Sequence, residues 1–349
     1  MNTKPWGAAD SRITDPVSID PERVEAIIDA GRMPTIQFSR PGYSQELLRA
    51  VDDLCAHLGH GLEVRFYGHH LAPFDAAVLA AIPHVRRLSV DCLSAIVNEQ
   101  MIADLSALQS LSFGVYWFDN PNFLAGLNLA NLRRLRLSET AKRNFDLGPL
   151  TAAKCLEALL VEGHTRSIDS LAHLGALQTL TLRAIPKNCD LSFVGRIESL
   201  KALKFILGGR ASFNEISHPQ LENLEVVWVR GLETIGPLER FPNLRSLIIE
   251  DQPRLSAIDL AGAPLQYVML NNCKTLNEIG GLDDLDQLVE IRISRTKLDL
   301  DVLATRKWPA TMKVVALYSP SLKRNAALRA LLDGRGYAER TKWPKPKFG

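Results

Sequence analysis

Apolar residues fall at positions i, i+3 and i+5 over most of the chain, and the triplet returns every 21 to 24 residues between Gly61 and Leu317. It is clearest as Leu132–Leu135–Leu137, Leu177–Leu180–Leu182, Leu244–Leu247–Ile249 and Leu288–Ile291–Ile293. With a degenerate first copy, Gly61–Val64–Phe66, and a last one, Met312–Val315–Leu317, there are twelve. The second and third members of each triplet are separated by one residue, so on a strand they share a face. One short strand per copy at this period predicts a stacked solenoid, in which each copy buries its apolar face only against its neighbours. Later apolar residues in each copy, such as Ile168/Leu171/Leu174 and Leu232/Ile235/Leu238, close the turn. Pro and Gly are frequent there, so these returning segments are expected as loops, 3₁₀ turns or single helical turns.

Three regions follow from where the triplets begin and end. Residues 1–60 read as an N-terminal tail and an α-rich cap, residues 61–318 as the repeats, and residues 319–349 as a C-terminal cap helix with a basic tail. The stretch to about Ser18 carries no structural signal and reads as flexible. Asp20 then offers an N-cap with Pro21 at the first helical position. Val24, Ile27 and Ile28 give that helix one apolar face, and Gly31 ends it. Ile36 and Phe38 alternate with Gln37, which suits a strand. Ser44 can cap a second helix whose apolar positions include Leu47, Leu48, Val51, Leu54, Cys55 and Leu58. At the other end, Asn325 to Asp333 reads as a capping helix with Leu328, Leu331 and Leu332 apolar, followed by TKWPKPKFG as an extended, solvated tail. Terminal units of a solenoid must cover an otherwise open apolar face, which is why both ends depart from the repeat.

Composition changes little in this picture. Length alone, at 349 residues, would suggest two domains, but one solenoid can grow without a second core. A net charge of +2 gives no Lys/Arg excess of the kind that nucleic-acid binding needs. The N-terminus lacks an apolar h-region and no window approaches a membrane span, so neither a secretory signal nor membrane insertion is expected. The five cysteines, Cys55, Cys92, Cys155, Cys189 and Cys273, are odd in number and scattered. They point to reduced thiols in a cytoplasmic compartment.

The segments LRRLRLSET, LQTLTLRAI, LRSLIIEDQ and LQYVMLNNC match the first six positions of LxxLxLxxN/C. The chain therefore resembles the leucine-rich repeat family over about three quarters of its length, and more narrowly the intracellular-type repeat proteins common in bacteria. The resemblance implies an α/β leucine-rich repeat solenoid, a horseshoe with a parallel concave sheet of about twelve short strands. It departs from the family at the Asn/Cys position, three residues after the last strand apolar. Cys273 fills that position. Thr140, Thr296 and Gln252 are polar substitutes, and Leu93, Ile185 and Val229 are apolar. In the family this side chain ties neighbouring turns together, so a differently bonded turn is expected here. Some of these bacterial proteins serve as immunity proteins against a cognate toxin or as secreted effectors that bind host proteins, and the resemblance implies a role of that kind. The family's ubiquitin ligases add a separate domain with a cysteine nucleophile, and residues 319–349 contain no cysteine.

Motifs for chemistry are missing: there is no GxSxG, GxxxxGK[ST] or HExxH, and no GxGxxG after a strand. His57 with His60, and His69 with His70, lack the three or four ligands that a metal needs. Cys189, between Asn188 and Asp190, has only Lys187 nearby to lower its pKa and reads as an inert thiol. No catalytic, cofactor or metal site is assigned, and the chain is expected not to be an enzyme; an enzyme with an unrecognised site stands as the last alternative, after the binding roles.

Strand alternation instead points to a partner surface. If the triplets face inward, the residues between and after them line the concave sheet. Its first half then carries Arg65, Arg87, Arg134, Arg136 and Arg183 among small residues. Repeats seven to ten carry Ile206, Val227, Ile248, Tyr267 and Met269, with Trp228 one position further and Arg230, Glu250 and Asp251 at the edge. Outward apolar residues side by side suggest a protein partner. Trp, Tyr and Arg are the residues that interface hot spots favour. The arginines permit an acidic partner or a phosphate. The chain is thus expected to be a non-catalytic protein-binding module, monomeric by default.

Overall fold

The computed structural model describes residues 11–69 and 72–339. The chain divides into two compact units, Met1–Ile168 and Asp169–Gly349. Each has seven parallel main strands, neighbours in chain order.

In the first unit the strands are Arg12–Thr14, Thr35–Phe38, Glu63–Tyr67, Arg87–Leu93, Ser110–Val115, Arg134–Leu137 and Ala158–Glu162. The triplets pair like with like. Ile36, Val64, Leu88, Leu111, Leu135 and Leu159 form one cross-strand row, and Phe38, Phe66, Val90, Phe113, Leu137 and Val161 form another. Both rows are buried. The register slips once, between Val90 and Leu93, where Cys92 is left-handed at φ 53°.

In the second unit the strands are Thr179–Arg183, Ala202–Ile206, Asn223–Val227, Ser246–Glu250, Tyr267–Asn271, Glu290–Ser294 and Val314–Tyr318. Leu180, Leu203, Leu224, Leu247, Val268, Ile291 and Val315 pair in one row, and Leu182, Phe205, Val226, Ile249, Leu270, Ile293 and Leu317 in the next. One short parallel strand per repeat, with its apolar triplet buried in register, is the leucine-rich repeat solenoid.

The returning segments are short 3₁₀ turns such as Ser192–Arg196 and Leu238–Arg240. Two pairs of minor strands lie among them: Phe74–Asp75 with Ile96–Val97, and Ala257–Asp259 with Glu278–Gly280.

The strand count exceeds twelve because the segment before Gly61 supplies two strands. Thr35–Phe38 pairs with Glu63–Phe66, and Arg12–Thr14 pairs in turn with Thr35–Gln37. The latter corrects the expectation of flexibility to Ser18. Ile13 inserts beside Val24 and Ile27, with Leu54 and Leu58 against them, and that burial fixes a segment too short to show a pattern. The helix Pro21–Asp29 is capped by the Asp20 carboxylate, which accepts from the Arg23 N–H at 3.3 Å, but Ile28 points to solvent. Helix Gln45–Leu58 starts where Ser44 Oγ accepts from the Leu47 N–H. The closing helix, Leu322–Gly334, buries Leu328 and Leu332 but leaves Leu331 exposed. The TKWPKPKFG tail lies outside the described residues. Among the described residues no helix is long and apolar enough to cross a membrane.

Candidate interaction surface

The Asn/Cys position of the repeat explains how the turns hold without an asparagine ladder. Gln252 Nε2 donates to the Val226 carbonyl at 3.2 Å and to that of Glu250, and Cys273 Sγ reaches the Asn271 carbonyl at 3.5 Å. His164 stands at the same position in its repeat and is fully buried. Its Nε2 lies 3.0 Å from the Ser138 carbonyl and its Nδ1 accepts from the Phe145 N–H at 3.3 Å. Only the neutral Nε2–H tautomer meets both contacts. Burial accordingly pushes its pKa below the ordinary histidine value. The repeat motif gives no signal for this histidine, since it names asparagine and cysteine alone at the position.

A second device recurs in the next position toward the strand. Ala184, Leu207, Trp228, Asp251, Asn272 and Arg295 each follow the last strand apolar by two residues, and all are left-handed, with φ from 50° to 63°. Their N–H groups donate to the carbonyls of Ile206, Val227, Glu250, Asn271, Ser294 and Tyr318 in turn, at 2.8 to 3.3 Å. The turn therefore extends the strand ladder by one hydrogen bond per repeat. None of the six side chains is buried, so they form an accessible rim in the second unit.

The predicted apolar cluster of that unit is real in register but uneven in exposure. Ile206 pairs with Val227, and Ile248 with Met269; Tyr267 stands two residues before Met269 on the same face. Ile206, Val227, Tyr267 and Met269 are half-buried. Ile248 is a correction: it faces outward but is only 4 % exposed, closed over by its neighbours, and offers no surface. Polar contacts interrupt the strip. Lys204 pairs with Glu225 at 2.6 Å, and Asn271 joins Glu250 to Ser294. The exposed centre is Trp228, at 47 %, with the Arg230 guanidinium 5.1 Å from its ring centroid. Beside it lies an open recess of about 500 Å³ lined by Trp228, Asp251, Pro253, Asn272 and Lys274. Asn272 Nδ2 donates to the Asp251 carboxylate at the base of this wall. Arg183, at the start of the unit, is half-buried.

In the first unit Arg65 is spoken for. It donates to Asp91 at 2.8 Å and to Gln37 at 2.9 Å, and its guanidinium stacks 4.5 Å from the Tyr67 ring centroid. Arg87 is half-buried, and Arg134 and Arg136 are exposed. One feature of this unit escaped the reading by rows: Tyr116 and Trp117, 49 % and 68 % exposed, stack edge-on at 4.8 Å in the turn after Ser110–Val115. They stand three and four residues after Phe113, so Tyr116 falls at the Asn/Cys position of its repeat, beyond the outward rows of the strand.

The chemistry elsewhere is quiet. Burial raises the Cys189 thiol above its ordinary pKa, the reverse of activation. His69 is buried with Nδ1 3.2 Å from the Tyr67 carbonyl, and His70 lies outside the described residues. Among the described residues no group of three His, Cys, Asp or Glu is placed to hold a metal ion.

No protein-family model and no curated protein sequence matches the chain. Solved structures with leucine-rich repeats do resemble it. An internalin from Listeria monocytogenes shares 16 % identity over 89 % of this chain and 79 % of its own, with a TM-score of 0.43. A leucine-rich repeat protein of Leptospira interrogans shares 16 % identity over 93 % of both chains, with a TM-score of 0.45. A chain of the Drosophila Toll–Spatzle complex shares 14 % identity over 88 % of this chain, which spans about half of that one at 51 %, with a TM-score of 0.49.

Proposed function

We propose that the chain is a non-catalytic protein-binding module that receives its partner on the outward face and rim of the sheet. The observation that carries this reading is Trp228. A large aromatic sits half-exposed at a left-handed position, stacked on Arg230, beside an open recess. Aromatic and arginine anchors of this kind dominate protein interfaces. Glu250 and Asp251 supply a polar edge around it. Five unpaired thiols support a reducing, cytoplasmic setting. Within this role, neutralising a cognate toxin comes first, and binding host proteins as a secreted effector comes second; both rest on the sequence resemblance.

Site-specific photo-crosslinking in the producing cell tests the surface. A benzoylphenylalanine at position 230 is expected to capture a discrete protein that the same group at position 278, on a minor strand of a returning segment, does not. Equal capture at both positions, or none at 230, would sink the proposal. A toxin gene beside this one supports neutralisation, and a secretion locus supports the effector role.

A further inference from the structure

Charged side chains on the outward face are matched almost throughout. Arg65 has Asp91 and Gln37, Lys204 has Glu225, and Arg292 has Glu290. Glu63 accepts from Thr35 and Ser89, and Glu250 accepts from Asn271. Against this, the side chains of Arg87, Arg134 and Arg136 make no hydrogen bond or ion pair among the described residues, and only the more distant Glu63 carboxylate favours the charge of Arg87. They belong to one neighbourhood. Arg87 pairs in register with Ser110, Ser110 with Arg134, and Ser112 with Arg136. Ala158 and Leu160 flank Arg134 and Arg136 on the far side. Three unmatched guanidiniums therefore surround two small hydroxyl residues, with no bulky side chain between them. The repulsion is felt: burial, and then the charge of Arg134, push the Arg87 pKa down.

We propose that these three arginines dock an extended acidic segment of the protein partner, a deeper statement of the binding role above and dependent on it. Arg134 and Arg136 are two residues apart on one strand, about 7 Å, which is the spacing of carboxylates at i and i+2 of an extended chain. Arg87 stands two strands away, about 10 Å across the sheet, within reach of a third carboxylate. Guanidinium forks pair with carboxylates in a bidentate manner. The patch is also bounded by acids, with Glu63 and Asp91 beside Arg87 and Arg65. That border opposes a long polyanion such as nucleic acid, and accepts a short acidic stretch.

The test uses the full chain and a fluorescein-labelled peptide of alternating Glu and Ser, ESESES, read by anisotropy at low and physiological salt. Salt-sensitive binding is expected, weakened at least tenfold in Arg134→Glu/Arg136→Glu, which should instead bind KSKSKS. Thermal melting verifies that the variant is folded, and Arg134→Gln/Arg136→Gln gives a neutral second variant. The proposal fails if ESESES does not bind, or binds the variants equally. It also fails if oligothymidylate of equal charge binds more tightly through the same arginines, or if inorganic phosphate binds there and displaces the peptide at equal charge. Crosslinking at position 230 does not depend on this peptide, so loss of the acidic-segment proposal leaves the surface reading standing, whereas a negative crosslink with positive peptide binding sinks the surface around Trp228 and confines the binding role to the arginines.

Discussion

Two histidines should make this fold acid-sensitive in a way that one substitution can isolate. His164 and His218 are buried, each with Nε2 against a backbone carbonyl, of Ser138 at 3.0 Å and of Ile197 at 2.9 Å. Each accepts a backbone N–H on Nδ1, from Phe145 at 3.3 Å and from Gln220 at 3.2 Å. A second proton would set N–H against N–H, so the folded state resists it, and burial lowers both pKa values below 6.5. The unfolded chain then binds more protons than the folded chain between that lowered value and about 6.5, and stability falls as pH drops through this window. The slope is at most about 1.4 kcal/mol per pH unit for each histidine, and it vanishes above the window. His164→Gln removes one of the two. Gln252 already fills the equivalent position of another repeat with its amide donating to a carbonyl, so glutamine can keep the donor at 164 without titrating. His164→Ala, by contrast, leaves Phe145 N–H and the Ser138 carbonyl unmatched and loses a 4.4 Å ring stack on Phe145, which should cost about 3 kcal/mol at any pH. Urea denaturation at pH 7.5, 6.5 and 5.5 separates the cases. If wild type and His164→Gln show the same pH slope, the neutral-histidine argument is wrong.

Ile248→Asp should destabilise by about 3 kcal/mol or more, because it puts a carboxylate at a closed position, and denaturant titration would show it. Trp228→Gly should leave the melting temperature unchanged or raised, since glycine relieves a left-handed backbone at about 1 kcal/mol while the lost contact with Arg230 is worth about the same; a clear fall would mean that Trp228 belongs to the fold. A thiol reagent should label Cys92 and Cys155 quickly in the native protein. Cys55 and Cys273, buried and pushed up to about 12 and about 11, should react only on unfolding. Gly231→Ala should fold poorly, because a Cβ there would overlap the Gly209 carbonyl oxygen, a backbone atom that cannot step aside; circular dichroism would detect the loss.

The fold was legible because the information that specifies it repeats. Each triplet needs only its neighbours, and twelve copies in one register outweigh any ambiguous segment. Arg12–Thr14 was not legible, since three residues carry no period and the strand exists through Ile13 packing on a helix. Alternation groups residues into rows along the strands, yet it cannot say which residues of a row remain open. Ile248 is closed by flanking side chains on adjacent strands, a cross-strand property invisible in a single repeat. His164 was hidden for a chemical reason: several side chains can give a hydrogen bond to a turn carbonyl, and the motif names only two of them.

The left-handed rim sharpens the reading of Trp228. A non-glycine residue there costs about 1 kcal/mol or more in backbone conformation, offset by the extra ladder hydrogen bond that every rim residue makes. That return depends only on the N–H, so the fold does not care which side chain the position carries. Alanine, leucine, aspartate, asparagine and arginine all occupy it in the same unit. Asp251 and Asn272 use their side chains on each other. Trp228 offers its face to Arg230 and leaves nearly half its surface in water, an arrangement that gives the isolated chain little. A tryptophan placed in water by a backbone turn that any residue could have formed is the physical ground on which Trp228 is proposed as a partner contact.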